Sequence, residues 1–255
     1  MTHKPDLVLL PGLMCDEALW DRVAPLLEDA ATLHHGNLFK DDSIAGMAAR
    51  VLEEAPPQFA LAGFSMGGYI AREIALIAPY RVKRLALMNT SALGSSATTL
   101  TRNRRMIRIL DLRPFAGLAP SSIRLALHPD LQDDIDLTRK IQAMARRLGG
   151  DVFRRQINLK RTDGHDRLGQ ILCPTLVISS DTDRLRRTKD SERLVSGIPN
   201  AELKIISRCG HMTPLEQPHV LAQLLRSWLD GKTNNQNLEV KLKPGTICRP
   251  PPGDR

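Results

Sequence analysis

The chain has 255 residues, of which 42% are hydrophobic and 25% are charged. This composition is close to that of ordinary globular domains and excludes a disordered, collagen-like or coiled-coil protein. The formal net charge is +8, and 15 Lys or Arg against 8 Asp lie between Thr101 and Arg167. Nearly all of the excess positive charge is therefore in one block in the middle of the chain.

Short apolar runs alternate with amphipathic stretches along most of the chain, a pattern typical of an α/β protein with a mainly parallel sheet. The runs lack polar alternation, as expected of strands that helices cover on both faces. We predict strands at Leu7–Leu10, Phe59–Gly63, Leu85–Asn89, Thr175–Ser179 and Leu203–Ile206. We predict helices at Asp16–Glu28, Ser43–Glu54 with Ser43 as the N-cap, Met66–Ala78, Lys189–Gly197 and His219–Leu229.

Residues 91–169 lack strand-like runs and have helical periodicity instead, for example at Met106, Ile109 and Leu110. We predict that this segment is a helical cap inserted into a core formed by residues 1–90 and 170–231. The final residues, 232–255, are polar and include a Pro-Pro-Pro run. This composition predicts a disordered C-terminal tail.

Several partners and compartments are disfavoured by the sequence. The apolar run Leu7–Leu10 is far shorter than a membrane span and lacks the flanks of a signal peptide, so we predict a cytoplasmic protein with no membrane partner. The four cysteines are scattered without a C-x-x-C pattern, which indicates neither a zinc site nor a disulfide framework. With 4% aromatic residues and no recognised binding motif, nucleic acid is not an expected partner.

A Gly-Phe-Ser-Met-Gly sequence at residues 63–67 follows the predicted strand Phe59–Gly63 and precedes a predicted helix. G-x-S-x-G alone is a weak signal. Its catalytic form needs a strand before it and a helix after it, because the nucleophile lies on a strained turn and small residues let the two elements approach closely. Both flanks are present, so we predict Ser65 as a nucleophile.

A serine hydroxyl becomes a good nucleophile when a histidine accepts its proton and a carboxylate fixes the tautomer of that histidine. His211 follows the predicted strand Leu203–Ile206, and the other six histidines follow no predicted strand in this way. Asp181 and Asp183 both follow the predicted strand Thr175–Ser179. We favour Asp183 because two further residues carry it into the loop where it would meet the histidine, and Asp181 is the alternative.

Acyl transfer also requires donors for the developing oxyanion. These are usually the backbone N–H after the nucleophile and one N–H from the loop after an earlier strand. Met66 follows the predicted nucleophile and is the first expected donor. The second is expected in the glycine turn at residues 10–14, directly after the first predicted strand, with Leu13 as the favoured residue.

Over about residues 5 to 230 these motifs together resemble the α/β-hydrolase superfamily. Three separated sequences carry the resemblance: Leu-Pro-Gly-Leu-Met-Cys-Asp from residue 10 with Trp20 following, Gly-Phe-Ser-Met-Gly-Gly-Tyr from residue 63, and Cys-Gly-His-Met from residue 209 with Leu-Glu-Gln-Pro from residue 215 after it. The chain is similar to small bacterial carboxylesterase-like members with a short helical cap, a group that includes the pimeloyl-carrier methyl-ester esterases. The resemblance implies an α/β-hydrolase fold with a mainly parallel sheet, flanking helices and an inserted helical cap.

The resemblance also implies roles for individual residues. They are Ser65 as nucleophile, His211 as base, Asp183 as its orienting acid, and the backbone N–H groups of Leu13 and Met66 as oxyanion donors. Two departures from the family pattern are present. Ser180 and an Arg-Arg pair at residues 186–187 stand where the family commonly has Gly and Thr-Pro, and Pro11 stands where it often has His.

The leading hypothesis is a serine hydrolase that cleaves a small-molecule carboxylic ester or thioester through an acyl-enzyme, with no metal or organic cofactor. The same side chains would also serve a C–C bond hydrolase, a lactonase or a cofactor-free perhydrolase. A non-catalytic small-molecule receptor or regulator on the same fold is an alternative of another class. We interpret the basic residues of the cap as a solvated helical face. The alternative is that an acidic carrier docks there.

Overall fold

The computed structural model describes residues 4–231. Within these residues, six parallel strands form one sheet in the order β2-β1-β3-β4-β5-β6. The strands are β1 (Asp6–Leu10), β2 (Thr32–His35), β3 (Phe59–Phe64), β4 (Val82–Met88), β5 (Thr175–Ser180) and β6 (Ala201–Ile206). The predicted α/β class with a parallel sheet is confirmed.

The α-helices lie between and beyond these strands. They are α1 (Ile44–Glu54), α2 (Met66–Ile77), α3 (Ala97–Leu112), α4 (Pro120–Ala126), α5 (Ile135–Ile157), α6 (Thr188–Gly197), α7 (Thr213–Glu216) and α8 (Pro218–Leu229). Ser43 caps α1 as predicted, because its hydroxyl accepts the Gly46 N–H at 3.1 Å. Short 3₁₀ turns cover Glu17–Trp20, Ala24–Leu26, Pro129–Leu131 and His165–Gln170.

Alternation along each strand divides the core into two layers. Leu7 and Leu9 of β1 face a layer that contains Trp20 and the α8 residues Leu225 and Trp228. The intervening residues of β1 face the other layer, where α1, α2 and α6 pack against the sheet. Because both faces are covered, the central strands are apolar throughout, as parallel strands generally are.

Two features of the predicted secondary structure are wrong. The predicted helix Asp16–Glu28 is instead a pair of 3₁₀ turns, with the Asp16 side chain accepting the Ala18 N–H at 3.1 Å and Pro25 within the second turn. The strand Thr32–His35 was not predicted. It lies at the sheet edge with partly exposed side chains, so its sequence lacks the apolar run that identifies the inner strands.

Helices α3, α4 and α5 form an inserted segment between β4 and β5. Helix α5 is interrupted at Gly149, whose φ of 77° is favourable for glycine alone. Leu159 and Leu168, in the same part of the chain, join the core layer around α2 and α6. The division into core and cap domains stays a prediction, and the predicted tail at 232–255 lies outside the described residues.

Candidate active site

Ser65 lies on the sharp turn between β3 and α2. Its φ of 52° and ψ of −108° are rare for a residue with a side chain, and such a conformation costs about 1–3 kcal/mol. Backbone contacts hold the turn: the Ser65 N–H donates to the Met88 carbonyl at 2.8 Å, and the Thr90 hydroxyl donates to the Ser65 carbonyl at 2.7 Å. The hydroxyl is thereby presented at the carboxyl edge of the sheet.

The glycines around Ser65 are required by close packing. A Cβ on Gly63 would lie 2.6 Å from the Gly67 carbonyl oxygen, and a Cβ on Gly67 would lie 2.5 Å from the Leu10 carbonyl oxygen. Real Cβ atoms do not approach backbone atoms this closely. The pattern that predicted the nucleophile therefore has the expected steric cause, which is close contact of α2 with β3 and β1.

The structure brings the three side chains of the predicted triad together. His211 Nε2 lies 2.9 Å from Ser65 Oγ, and His211 Nδ1 lies 2.7 Å from Asp183 Oδ2. The three residues follow three different strands, β3, β5 and β6, so only the fold makes them neighbours. Their arrangement allows a proton to pass from Ser65 to His211 while Asp183 holds the opposite ring nitrogen.

Asp183 is fully hydrogen-bonded inside the protein. Its Oδ1 accepts the backbone N–H groups of Leu185 at 2.8 Å and Arg186 at 2.9 Å, and its Oδ2 also accepts the Asn89 amide at 3.0 Å. Burial opposes ionisation of this carboxyl, but the hydrogen bonds from His211, Asn89 and Arg186 outweigh burial and lower its pKa. Asp183 is therefore an anion at neutral pH.

Asp181, the alternative acid, has a different position. Its two carboxylate oxygens accept the backbone N–H groups of Arg208 at 2.9 Å and Cys209 at 3.2 Å. Asp181 is exposed and holds the start of residues 207–212, the loop that carries His211 and is called the histidine loop below. His211 itself contacts Asp183. The two aspartates have separate contacts although only one residue lies between them.

The turn after β1 lies directly beside the serine. A Cβ on Gly12 would be 3.4 Å from Ser65 Cβ, so the residue before Leu13 packs against the serine. Within the turn, Met14 donates its N–H to Gln156 Oε1 at 2.8 Å and Cys15 donates to the Gly12 carbonyl at 3.2 Å. The Met66 N–H belongs to the first turn of α2, where amides have no acceptor within the helix.

Sequence patterns did not identify several residues that hold the site. Asn89, at the end of β4, bonds Asp183 and accepts the Thr213 hydroxyl at 2.7 Å. Gln156 of α5 holds the turn after β1, and the Glu216 carboxylate accepts backbone N–H groups of the histidine loop. A polar residue at the end of a buried strand was an available signal for Asn89, and Glu216 lies in the Leu-Glu-Gln-Pro sequence shortly after His211. Gln156 acts through a contact distant in sequence, which no local signal marks.

An apolar cluster joins the inserted helices to the turn after β1. Its buried members are Met14, Ala145, Val152, Phe153 and Ile157, and Leu13 packs against it. The Phe115 and Phe153 rings stack with centroids 5.1 Å apart. A buried cluster of aromatic and aliphatic groups therefore joins the inserted helices to the turn after β1.

The family of the chain follows from its sequence as well as from this geometry. The model of the Alpha/beta hydrolase family matches residues 7–224, and the chain belongs to this family. It is a hydrolase of the α/β fold. Within the described residues, no group of three His, Cys, Asp or Glu side chains is placed to hold a metal ion, and no helix is both long and apolar enough to cross a membrane.

Individual relatives differ in the reactions named for them. A 2-hydroxy-6-oxononadienedioate/2-hydroxy-6-oxononatrienedioate hydrolase of Cupriavidus pinatubonensis is 33% identical over 174 residues, which cover 66% of this chain and 60% of that protein. A pimeloyl acyl-carrier-protein methyl ester esterase of Klebsiella pneumoniae is 39% identical over 93 residues, or 33% of this chain and 36% of that protein. The matched regions are therefore partial in both proteins.

Among solved structures, a thermophilic esterase from Thermogutta terrifontis has a similar fold. The TM-score is 0.79 at 23% sequence identity, and the alignment covers 91% of this chain and 92% of the esterase. At this level of identity the likeness establishes the fold, which is the α/β-hydrolase fold expected from the three sequence motifs.

Proposed function

We propose that this protein is a serine hydrolase that cleaves a small-molecule carboxylic ester or thioester through an acyl-enzyme on Ser65. The observation that carries the proposal is the continuous contact from Ser65 Oγ to His211 Nε2 at 2.9 Å and from His211 Nδ1 to Asp183 at 2.7 Å. This arrangement supplies a nucleophile, a general base and a group that orients the base.

In the first half of the reaction, Ser65 Oγ attacks the carbonyl carbon while His211 Nε2 takes the hydroxyl proton. The carbonyl oxygen becomes an oxyanion, which the backbone N–H groups of Leu13 and Met66 stabilise as donors. When the tetrahedral intermediate collapses, the bond to the leaving oxygen or sulfur breaks and His211 donates its proton to that atom. The products are an alcohol or thiol and the acylated serine.

In the second half, a water molecule gives a proton to His211 as its oxygen attacks the acyl carbon. Collapse of the second intermediate breaks the bond to Ser65 Oγ, and His211 returns the proton to the serine. The net reaction adds one water across the ester bond, so these reaction steps balance without a redox partner or a metal. Leu13, which is only partly buried and packs against an apolar cluster, leads us to expect a hydrophobic acyl group.

A fluorophosphonate probe tests the proposal directly, because it phosphonylates a serine that is activated by a neighbouring base. We expect stoichiometric labelling of the folded parent at Ser65, read by peptide mass spectrometry, together with hydrolysis of p-nitrophenyl esters in a panel of graded acyl length. Ser65→Ala is the control and should remain unlabelled. Absence of labelling and of ester hydrolysis would favour a non-catalytic receptor, and cleavage of a C–C bond or lactone without ester turnover would favour those alternatives.

The inserted helices support a further proposal, that an acidic carrier presents the substrate. Arg147 and Lys140 of α5 are already paired with Asp16 and Asp21 of the core. Along α3, by contrast, four exposed arginines form no ion pair with another described residue; they are Arg102, Arg104, Arg105 and Arg108. Free surface cations are suited to an anionic partner, and the Klebsiella relative is named for a carrier-linked ester.

For the double variant Arg104→Glu and Arg108→Glu, we expect kcat/KM for an acyl-carrier-protein methyl ester to fall by about tenfold or more at low salt, because charge attraction speeds encounter. Hydrolysis of a free methyl ester should stay unchanged. The parent should lose its preference for the carrier-linked ester as salt is raised. Lys83→Glu is the control for charge change, because Lys83 is exposed at the amino end of β4, whereas α3 follows the carboxyl end of that strand. An equal fall in kcat/KM in the Lys83→Glu variant would contradict docking at α3.

A further inference from the structure

The Glu216 carboxylate lies at the end of α7 and is largely surrounded by protein. It accepts three backbone N–H groups: Oε2 from Gly210 at 3.0 Å and from His128 at 2.8 Å, and Oε1 from Met212 at 2.8 Å. Within residues 4–231, none of its hydrogen bonds or ion pairs involves a lysine or arginine. Its charge is therefore balanced by backbone dipoles.

Two of these donors flank His211 in the sequence. Fixing the N–H groups of residues 210 and 212 restricts the backbone on both sides of the histidine. The His211 N–H itself donates to the Ala126 carbonyl at 2.7 Å. The N–H groups of three consecutive residues, 210 to 212, are thus bonded to partners outside the loop. These bonds fix the position of the His211 Cα, from which the imidazole side chain projects.

The third donor connects the histidine loop to the inserted segment. Ala126 and His128, at the end of α4, contact His211 and Glu216 respectively. Leu127, which lies between them, packs closely against the histidine loop: a Cβ on Gly210 would lie 2.6 Å from the Leu127 carbonyl carbon. Glu216 therefore bonds both the histidine loop and the adjoining end of α4.

Burial raises the pKa of Glu216, and its three N–H donors only partly offset this effect. A buried carboxylate without a cation is unfavourable unless its hydrogen bonds are well formed. The His211 ring, with its centroid 5.1 Å from that of Phe64, has its remaining freedom limited by packing. These contacts give Glu216 direct control over the backbone that carries the catalytic base.

We infer that Glu216 is a positioning residue that holds His211 in line with Ser65 through the N–H groups of Gly210 and Met212. The inference rests on the proposed function, because it assigns Glu216 to the same reaction without contact with substrate. A displacement of the base by about 1 Å would cost about 100-fold in rate. Loss of the carboxylate should therefore slow the chemical steps more than it weakens substrate binding.

The test substitution is Glu216→Gln, which keeps the size of the side chain but replaces one acceptor oxygen with an NH₂ group that faces an N–H donor. We expect kcat for p-nitrophenyl ester hydrolysis to fall by about 10- to 100-fold, with KM within about threefold of the parent. The rate of fluorophosphonate labelling at Ser65 should fall in parallel, because it depends on the same alignment of Ser65 with His211.

Asp163→Asn is the matched control. The Asp163 carboxylate also accepts a backbone N–H group, that of His165 at 3.1 Å, but this bond lies in the segment between β4 and β5 and involves no residue of the loop that carries His211. Its kcat should stay within about threefold of the parent even where its melting temperature falls. Equal loss of kcat in both variants, or a folded Glu216→Gln with parental kcat, would overturn the inference.

Glu216→Asp provides the second variant if Glu216→Gln does not fold. It keeps the charge but shortens the side chain by one methylene, so the same split between kcat and KM is expected. Retention of parental kcat by folded Glu216→Asp would overturn the inference. Failure of the parent itself to hydrolyse esters or to be labelled would refute the proposed function instead, so the two failures are distinguishable.

Discussion

Ser65→Ala should reduce kcat for a p-nitrophenyl acyl ester by about 10⁶-fold, because removal of the nucleophile ends the acyl-enzyme route. A residual rate about 10³-fold above that of uncatalysed hydrolysis should remain, since the proposed oxyanion donors of the turn after β1 and of α2 are unaffected. The measurement is the initial rate with enzyme at micromolar concentration, together with a check that the substituted chain keeps its melting temperature.

Ser91→Ala is the matched control for this prediction. Ser91 lies shortly after β4 and its hydroxyl is 2.6 Å from the Tyr69 hydroxyl, with no contact to His211. Its loss should leave kcat within a few-fold of the parent while removing the buried hydrogen bond to Tyr69 and the longer one from the Leu93 N–H, together worth about 1–2 kcal/mol of stability. A Ser65→Ala enzyme that kept even about 1% of parental activity would show that the reaction uses another nucleophile.

Asp183→Asn should lower kcat by about 10⁴-fold. An asparagine amide cannot stabilise the imidazolium that forms when His211 takes the Ser65 proton, and its NH₂ group would favour the wrong tautomer. The substitution also places an NH₂ group among four N–H donors, from Leu185, Arg186, Asn89 and His211, where the parent carboxylate accepts all four. An unsatisfied buried donor costs about 1–3 kcal/mol, so the melting temperature should fall as well.

The pH dependence gives an independent check on Asp183. Its pKa is lower in the folded protein than in the unfolded chain, so its contribution to stability is present above the unfolded value of about 3.9 and is lost as the pH falls through the folded value. The stability difference between parent and Asp183→Asn should therefore shrink in strong acid. Loss of activity between about pH 5 and 8 would have to come from another group, since Asp183 stays ionised there.

Asp181→Asn separates the two aspartates. If Asp181 were the triad acid, its replacement would cause the 10⁴-fold loss and Asp183→Asn would be tolerated. Because His211 contacts Asp183 and not Asp181, we expect the large loss of kcat in Asp183→Asn and a much smaller change in Asp181→Asn.

Most of the fold was accessible from sequence because buried parallel strands have a simple apolar signature. The inner strands β3, β4 and β5 were found within a few residues of their bounds. The edge strand β2 has one partly covered leucine between Thr32 and two histidines, and it pairs with β1 alone. Its strand conformation depends on hydrogen bonding to β1, and the hydrophobic periodicity of its own sequence gives no sign of that pairing.

The site was accessible in part for a related reason. Ser65, Asp183 and His211 each follow a strand, and parallel strands place their carboxyl ends at one edge, so sequence alone could bring them together. Two of the N–H donors to Glu216 are nearby in the chain. Its third donor, His128, is 88 residues away, and the Met14 N–H that Gln156 accepts is 142 residues away. Those contacts depend on how the inserted helices sit over the sheet, which no local pattern determines.

The contact between Gln156 and the turn after β1 limits how this enzyme can be recombined with its relatives. Gln156 is almost fully buried, accepts the Met14 N–H at 2.8 Å and donates to the Leu38 carbonyl at 3.2 Å. A chimera that received the helices between β4 and β5 from another hydrolase would lose these bonds unless the donor segment carried an amide at the same position. The helices between β4 and β5 and the turn that carries Leu13 are thus coupled through one buried amide, and we expect them to be exchanged successfully only together.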